Sequence, residues 1–242
     1  MNPGKVRIGG AAEILNVSVQ TLRNWEKSGK LTPERSVGRQ RYYRIQDLKR
    51  FALDLEKLGL AWASSGIAPQ LPKEYYSERP DRFTTRVARM GIDLQHSGKV
   101  SEDIASLLTL VAGEIGDNSF AHNVGNWPDI GGVFYAYDLN KKIIVLADRG
   151  RGVKATLQHV RPDLENDRDA LRVAFTEIVS GRSPEKRGNG LKVVRSVAED
   201  TEIGLLFRSG TATVTIPSES GKKMRIKTSD RNIRGTYAVI LF

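Results

Sequence analysis

Along residues 8 to 58 the apolar positions recur every three or four residues. Ile8, Ala11, Ala12, Ile14 and Leu15 share one face of a helix that Asn16 and Val17 close. Ser18 is placed to cap a second helix from Val19 to Lys27, which Ser28-Gly29 stops. Two short helices joined by a tight turn predict a helix-turn-helix. In the second helix Leu22 and Trp25 point inward, leaving Gln20, Arg23, Asn24 and Lys27 outward. Leu31 to Tyr43, broken by Pro33 and Gly38, reads as a hairpin wing. Ile45, Leu48, Phe51, Leu55 and Leu58 then define a third amphipathic helix that closes a small core. From Gly59 to Asp81 the periodicity is lost among Pro69, Pro72 and Pro80, which predicts a linker.

Beyond the linker, helical and strand patterns alternate irregularly. Ser101 caps a long helix whose first turn carries Glu102 and Asp103, and Ile104, Leu107, Leu108, Val111 and Ile115 form its buried stripe. Gly131 to Tyr137 and Lys142 to Ala147, separated by a four-residue turn, predict an antiparallel hairpin. A helix from about Arg168 to Ser180 leads into the glycine-rich, basic run 181–190, and a new helix starts at Gly190. Strands near 203–208, 211–216, 224–227 and 236–242 complete the set. The fold class expected is a small all-α winged helix-turn-helix, residues 1–58, then a linker, 59–81, then an α/β two-layer sandwich with a mixed sheet, 82–242.

Composition narrows the chemistry. The 242 residues include no cysteine, which removes disulfides, thiolate metal sites and thiol nucleophiles. No run approaches the ~18 to 20 apolar residues of a membrane span, and no signal-like stretch follows Met1, so a cytoplasmic protein is expected. The formal charge of +10 is uneven: residues 1–60 carry twelve Lys/Arg against six acids, and the remaining chain 26 against 22. A small, strongly positive domain suits a polyanion such as nucleic acid.

Several residue groups carry candidate chemistry. Gln20, Arg23 and Asn24 are side chains able to make paired hydrogen bonds with purine edges, and Arg39, Arg41 and Tyr42 of the wing can reach phosphates or a minor groove. A helix-turn-helix also serves as a protein-docking module. In the second domain Glu114 and Asn118, four apart, share a helix face; together they offer hard oxygen ligands for Mg²⁺ and a carboxylate that can polarise water. An exposed helix face carries the same pair without function. Asp148 ends the second hairpin strand, where a buried carboxylate can accept from an exocyclic amine, and Gly150 and Gly152 allow close backbone approach; a surface turn reads the same way. The run Arg187-Gly188-Asn189-Gly190 enters a helix N-terminus, a combination that binds phosphate through backbone N–H groups and the helix dipole.

Two resemblances organise these observations. The string VRIGGAAEILNVSVQTLRNWEKSGKLTPERSVGRQRYYRIQDLKRF resembles the winged helix-turn-helix of MerR-type regulators and phage excisionases, over residues 6 to about 51. It implies DNA binding by Gln20, Arg23 and Asn24 in the recognition helix and Arg39, Arg41 and Tyr42 in the wing. Glu114-Ile-Gly-Asp117-Asn118, Asp148-Arg-Gly150-Arg-Gly152, the 187–190 loop and Gly235-Thr236, in that order over about residues 100–242, resemble the GHKL ATPase superfamily with its histidine-kinase-like, or Bergerat, ATP-binding fold.

That second resemblance implies ATP and Mg²⁺ as cofactors, Glu114 as the water-activating base and Asn118 as the Mg²⁺ ligand. Asp148 would hold the adenine amine, Gly150 and Gly152 would shape the pocket, Arg187, Gly188, Asn189 and Gly190 would belong to a lid, and Thr236 would sit near the adenine. Without a phosphoacceptor histidine in a helical hairpin, histidine autophosphorylation is not expected. The expected function is a DNA-binding transcriptional regulator whose DNA engagement ATP modulates, with slow hydrolysis at most. An anti-sigma-type Ser/Thr kinase acting on a partner protein and a non-catalytic ATP-dependent interaction module are the alternatives, and a second copy of the chain, in a homodimer, is a candidate partner.

Overall fold

The computed structural model describes residues 4–15, 17–27, 29, 31–36, 38, 40–178, 189–219 and 221–242. The chain forms two compact units, Met1–Asp54 and Leu55–Phe242.

In the first unit, strand β1 (Lys5–Arg7) leads into helices α1 (Ile8–Leu15) and α2 (Val19–Lys27). The apolar spacing places both helices where the sequence predicts them. Ser18 starts α2 by accepting the Thr21 amide at 3.0 Å. Strands β2 (Glu34–Arg35) and β3 (Arg41–Arg44) form the wing, and helix α3 (Ile45–Ala52) follows. Ala11, Ala12, Leu22, Tyr43 and Leu48 make the core, with Trp25 packed at its edge on Phe51, ring centroids 5.0 Å apart. The unit is not all-α. Its central strand β3 pairs with β1 on one side and β2 on the other, and this antiparallel sheet ties the chain's start to the wing.

The expected third helix is two helices. Leu53 adopts an extended conformation after α3, and helix α4 (Leu55–Ser64) begins in the second unit. Leu48 of α3 is buried in the first core, whereas Leu55, Trp62 and Ala63 of α4 are buried in the second unit. Two faces serving two cores keep one apparent periodicity, which is why spacing alone reads them as continuous.

Nor is 59–81 a linker. α4 packs on the sheet of the second unit, and the Pro-rich stretch after it ends in a short 3-10 turn (Lys73–Tyr75) and strand β4 (Tyr76–Ser77). Helices α5 (Pro80–Ser97) and α6 (Glu102–Asn123) precede the hairpin β5 (Val133–Asp138) and β6 (Ile143–Asp148). Next come α7 (Gly152–Leu157), α8 (Asp167–Thr176) and α9 (Gly190–Asp200). The four short strands expected near the end are two long ones, β7 (Gly204–Ile216) and β8 (Arg225–Leu241), with register shifts between Ser209 and Ala212.

The sheet order is β4-β5-β6-β8-β7. The sheet is antiparallel throughout the described residues, not mixed. β6 and β7 run in the same direction, but β8 lies between them and converts each neighbouring pair to antiparallel. One face packs against α5, α6, α8 and α9 around Phe83, Leu108, Ile144, Leu146, Phe207 and Ala238. α4 covers the other face over β5, β6 and β8, so this is more than two layers and every residue of β6 is buried.

Candidate functional site

Helix α6 brings Glu114 and Asn118 to one end of the sheet, on the face where β6 ends in Asp148. Its amphipathic stripe is buried, and its Ser101 N-cap fixes where the helix starts by accepting the Ile104 amide at 3.3 Å. A cavity of about 420 Å³ opens between α6, the sheet end, α7 and the start of α9. Its wall holds Glu114, Asn118, Asp148, Gly152, Asn189, Gly190 and Thr236, within the size range of small-molecule sites. The structure therefore gathers seven of the residues singled out from the sequence around one space. Gly150 stands beside it, and Arg187 and Gly188 lie outside the described residues.

Asp148 is almost wholly buried, at 1% exposure. Its Oδ2 accepts the Ser119 hydroxyl at 2.8 Å and the Thr236 hydroxyl, and its Oδ1 accepts the Gly150 amide at 2.7 Å. Burial holds this carboxyl above the usual aspartate range, while the Thr236 and Ser119 hydroxyls and the backbone pull it back down. Gly235 closes the arrangement in a left-handed conformation, φ 58°, where a Cβ would collide with Asp148 Oδ1.

At the other wall, the backbone of Gly190 lies so close to Glu114 and Asn118 that a Cβ would strike the Glu114 carboxylate. Asn189, which precedes α9, makes no side-chain cap. The Lys192 and Val193 amides turn back to the Asn189 carbonyl, at 3.0 and 2.9 Å. A helix start without a side-chain cap and facing a cavity is a ready anion site.

Sequence reasoning overlooked the supports. Asn123 accepts the Arg151 amide at 2.9 Å and donates to the Ser119 carbonyl at 2.7 Å; Ser209 accepts the Val153 amide at 3.0 Å and donates to Gly235. The spacing Ser119 to Asn123 repeats the i, i+4 step of Glu114 to Asn118 further along the same helix, so helical periodicity is the signal that finds them. Val153, Leu157 and Phe207, an apolar wall, carry no motif.

In the first unit Gln20, Arg23, Asn24 and Lys27 are all exposed on α2, and Gln20 donates to Asn24 at 3.2 Å. Glu26 fastens the wing to this helix by accepting Arg41 Nε at 2.6 Å and Arg35. These partners, Arg41 first, hold the Glu26 carboxyl below the usual glutamate range. Arg41 is thus engaged inside the domain. Tyr42 is half-buried on the central strand and donates to Gln40 at 3.2 Å; Arg39 lies outside the described residues.

Among the described residues no helix is long and apolar enough to cross a membrane. Comparison with curated proteins and with solved structures returned no match. Residues 7–43 match the model of the MerR family regulatory protein, and with α1, α2 and the wing in place the N-terminal unit is a MerR-type helix-turn-helix domain.

Proposed function

We propose that the chain is a DNA-binding transcriptional regulator whose second unit binds ATP with Mg²⁺, and that this binding changes how the MerR-type unit engages DNA. For the first half, the support is the MerR-type match together with the exposed Gln20, Arg23 and Asn24 on the recognition helix. For the second, the observation that carries the reading is a single cavity with the buried Asp148 carboxylate on one wall and the α9 start, which the Asn189 side chain leaves uncapped, on another. A purine amine fits the first and phosphates the second, as the likeness to GHKL ATPases implies.

The donor set suits Mg²⁺ only with the nucleotide's help. Among the described residues no group of three His, Asp or Glu gathers as a metal site, and Mg²⁺ is commonly held by one or two protein oxygens together with phosphates and water. Asn118 would supply the protein ligand. ATP supplies a transferable phosphoryl group; Glu114, half-buried beside Gly190, would take the proton of a water. Gly190 and Asn189, with Arg187 and Gly188 of the same run, would hold the phosphates, and Gly150, Gly152 and Thr236 would frame the base.

Calorimetry of the full chain with Mg·ATP, on wild type and on Asp148→Asn, with and without duplex DNA, tests the proposal. Wild-type binding that Asp148→Asn abolishes and that DNA shifts is the expected result. Binding indifferent to DNA would end the gating and leave the nucleotide to a partner-directed kinase, whereas no binding would end the nucleotide reading.

A further inference from the structure

The positive charge of the second unit is concentrated on one ribbon. Residues 204–242 hold seven Lys/Arg against two acids, whereas residues 61–203 hold nineteen against twenty. β7 and β8 pair through most of this stretch, with Thr215 opposite Arg225 and Thr213 opposite Lys227, and each cross-strand pair shares a face. Ala212, Val214 and Ile216 alternate with those threonines and point into the core. The Thr213, Thr215, Arg225 and Lys227 face is therefore the outer one.

Arg225, Lys227 and Arg231 are exposed, and among the described residues no carboxylate pairs with them. Lys222 and Arg234, by contrast, are engaged by Glu219 and Asp129. Arg208 crowds the same patch: it donates to the Ser229 hydroxyl at 2.7 Å and the Arg231 carbonyl at 3.1 Å, while its buried Nε has no partner among the described residues. Burial, and then the charge of Arg231, push the Arg208 guanidinium below its ordinary range. Arg231 also borders a groove lined by Lys57, Leu60, Ala61 and Ser64 of α4 and by Ser65 just after it. Asp230, next to Arg231 in sequence, offsets one of these charges, and the excess is relieved by an external anion.

We propose that the outer face of the β7–β8 ribbon binds the phosphate backbone of duplex DNA, as a second, sequence-independent contact beside the MerR-type reader. Phosphate contacts come from Arg, Lys, Ser and Thr, which is the composition of this face. A protein partner would need an apolar or aromatic centre, and the strand face of Thr213, Thr215, Arg225 and Lys227 provides none. The inference rests on the chain being a DNA binder, and is independent of the nucleotide site.

The test is a salt titration of the full chain on a fluorescent duplex, comparing wild type with a triple variant, Arg225→Gln, Lys227→Gln and Arg231→Gln. Each phosphate contact adds about 0.9 to the slope of log affinity against log salt. Losing three contacts makes the affinity lost between about 50 and 200 mM salt roughly 40-fold smaller than in the wild type. An unchanged thermal midpoint shows that the variant is folded. The same titration on Arg23→Ala with Asn24→Ala is expected to lose site preference while keeping most of the slope. A triple variant with the wild-type slope overturns the ribbon and leaves the reader standing. A triple variant with the smaller slope, beside an Arg23/Asn24 variant with intact site preference, supports the ribbon and removes the reader. Poly-aspartate displacing the duplex as well as unlabelled duplex does would overturn the commitment to DNA.

Discussion

Burial of Asp148 is costly, because a carboxyl held above its ordinary range is less stable charged inside the protein than in the unfolded chain. The folded state binds the proton more tightly. From the ordinary aspartate value upward, stability is therefore lost as pH rises through the folded-state value. Asp148→Asn should be at least as stable as wild type at neutral pH, with the difference shrinking as pH falls into the acid range; denaturant midpoints across pH measure it. Glu26 has the opposite sign. Its carboxyl is held low by Arg41 and Arg35, so its contribution is present above the ordinary glutamate value and fades as pH falls through the folded one. Glu26→Gln is expected to cost about 1 kcal/mol at neutral pH and to weaken DNA binding by loosening the wing from α2, a loss that a melting curve of the first unit would show. Gly235 is bound to its conformation: Gly235→Ala is expected to cost about 1 to 3 kcal/mol in chemical denaturation and to disturb Asp148 directly.

Strands β6 and β8 place consecutive residues on opposite faces, and this alternation divides labour at the element scale. Asp148 and Thr236 face the cavity, while Arg149 and Tyr237 face α4, where Tyr237 donates to the Glu56 carbonyl at 3.2 Å. Arg149 is fully buried; it reaches the carbonyls of Trp62, Ser65 and Gly66 and pairs with Asp129. One guanidinium thus clamps the end of α4 to the strand end that carries Asp148. Arg149→Ala leaves those carbonyls and much of Asp129 without their donor, and a loss of about 3 to 5 kcal/mol in unfolding free energy is expected. The sequence shows the residues of this clamp but not the clamp. Arg149 stands between two motif positions, Asp148 and Gly150, and the carbonyls it reaches lie more than eighty residues back in a stretch that composition assigns to a linker. Proline and lost periodicity report missing helix; they do not report whether a segment packs.

For the whole molecule, the proposed function turns on the coupling between nucleotide and DNA. Linkage requires that any factor by which Mg·ATP changes DNA affinity equals the factor by which DNA changes ATP affinity. A factor between about 5 and 150 is expected, measured by calorimetry in one direction and by anisotropy in the other. Unequal factors would mean that a third equilibrium, such as self-association, intervenes.

Local rules sufficed wherever neighbours along the chain decide the outcome. Helical periodicity and the Ser18 and Ser101 caps located α1, α2 and the start of α6, and the β-rich runs around a short turn located the β5–β6 hairpin, because these depend on interactions within a few residues. The same locality placed Glu114 and Asn118 on one face and Asp148 at a strand end. Only the tertiary structure decided that β8 inserts between β6 and β7, that α4 belongs to the second unit, and that Ser119 and Asn123 support the cavity. Each of those follows from contacts between segments far apart in sequence, where burial, and not local pattern, selects the partner.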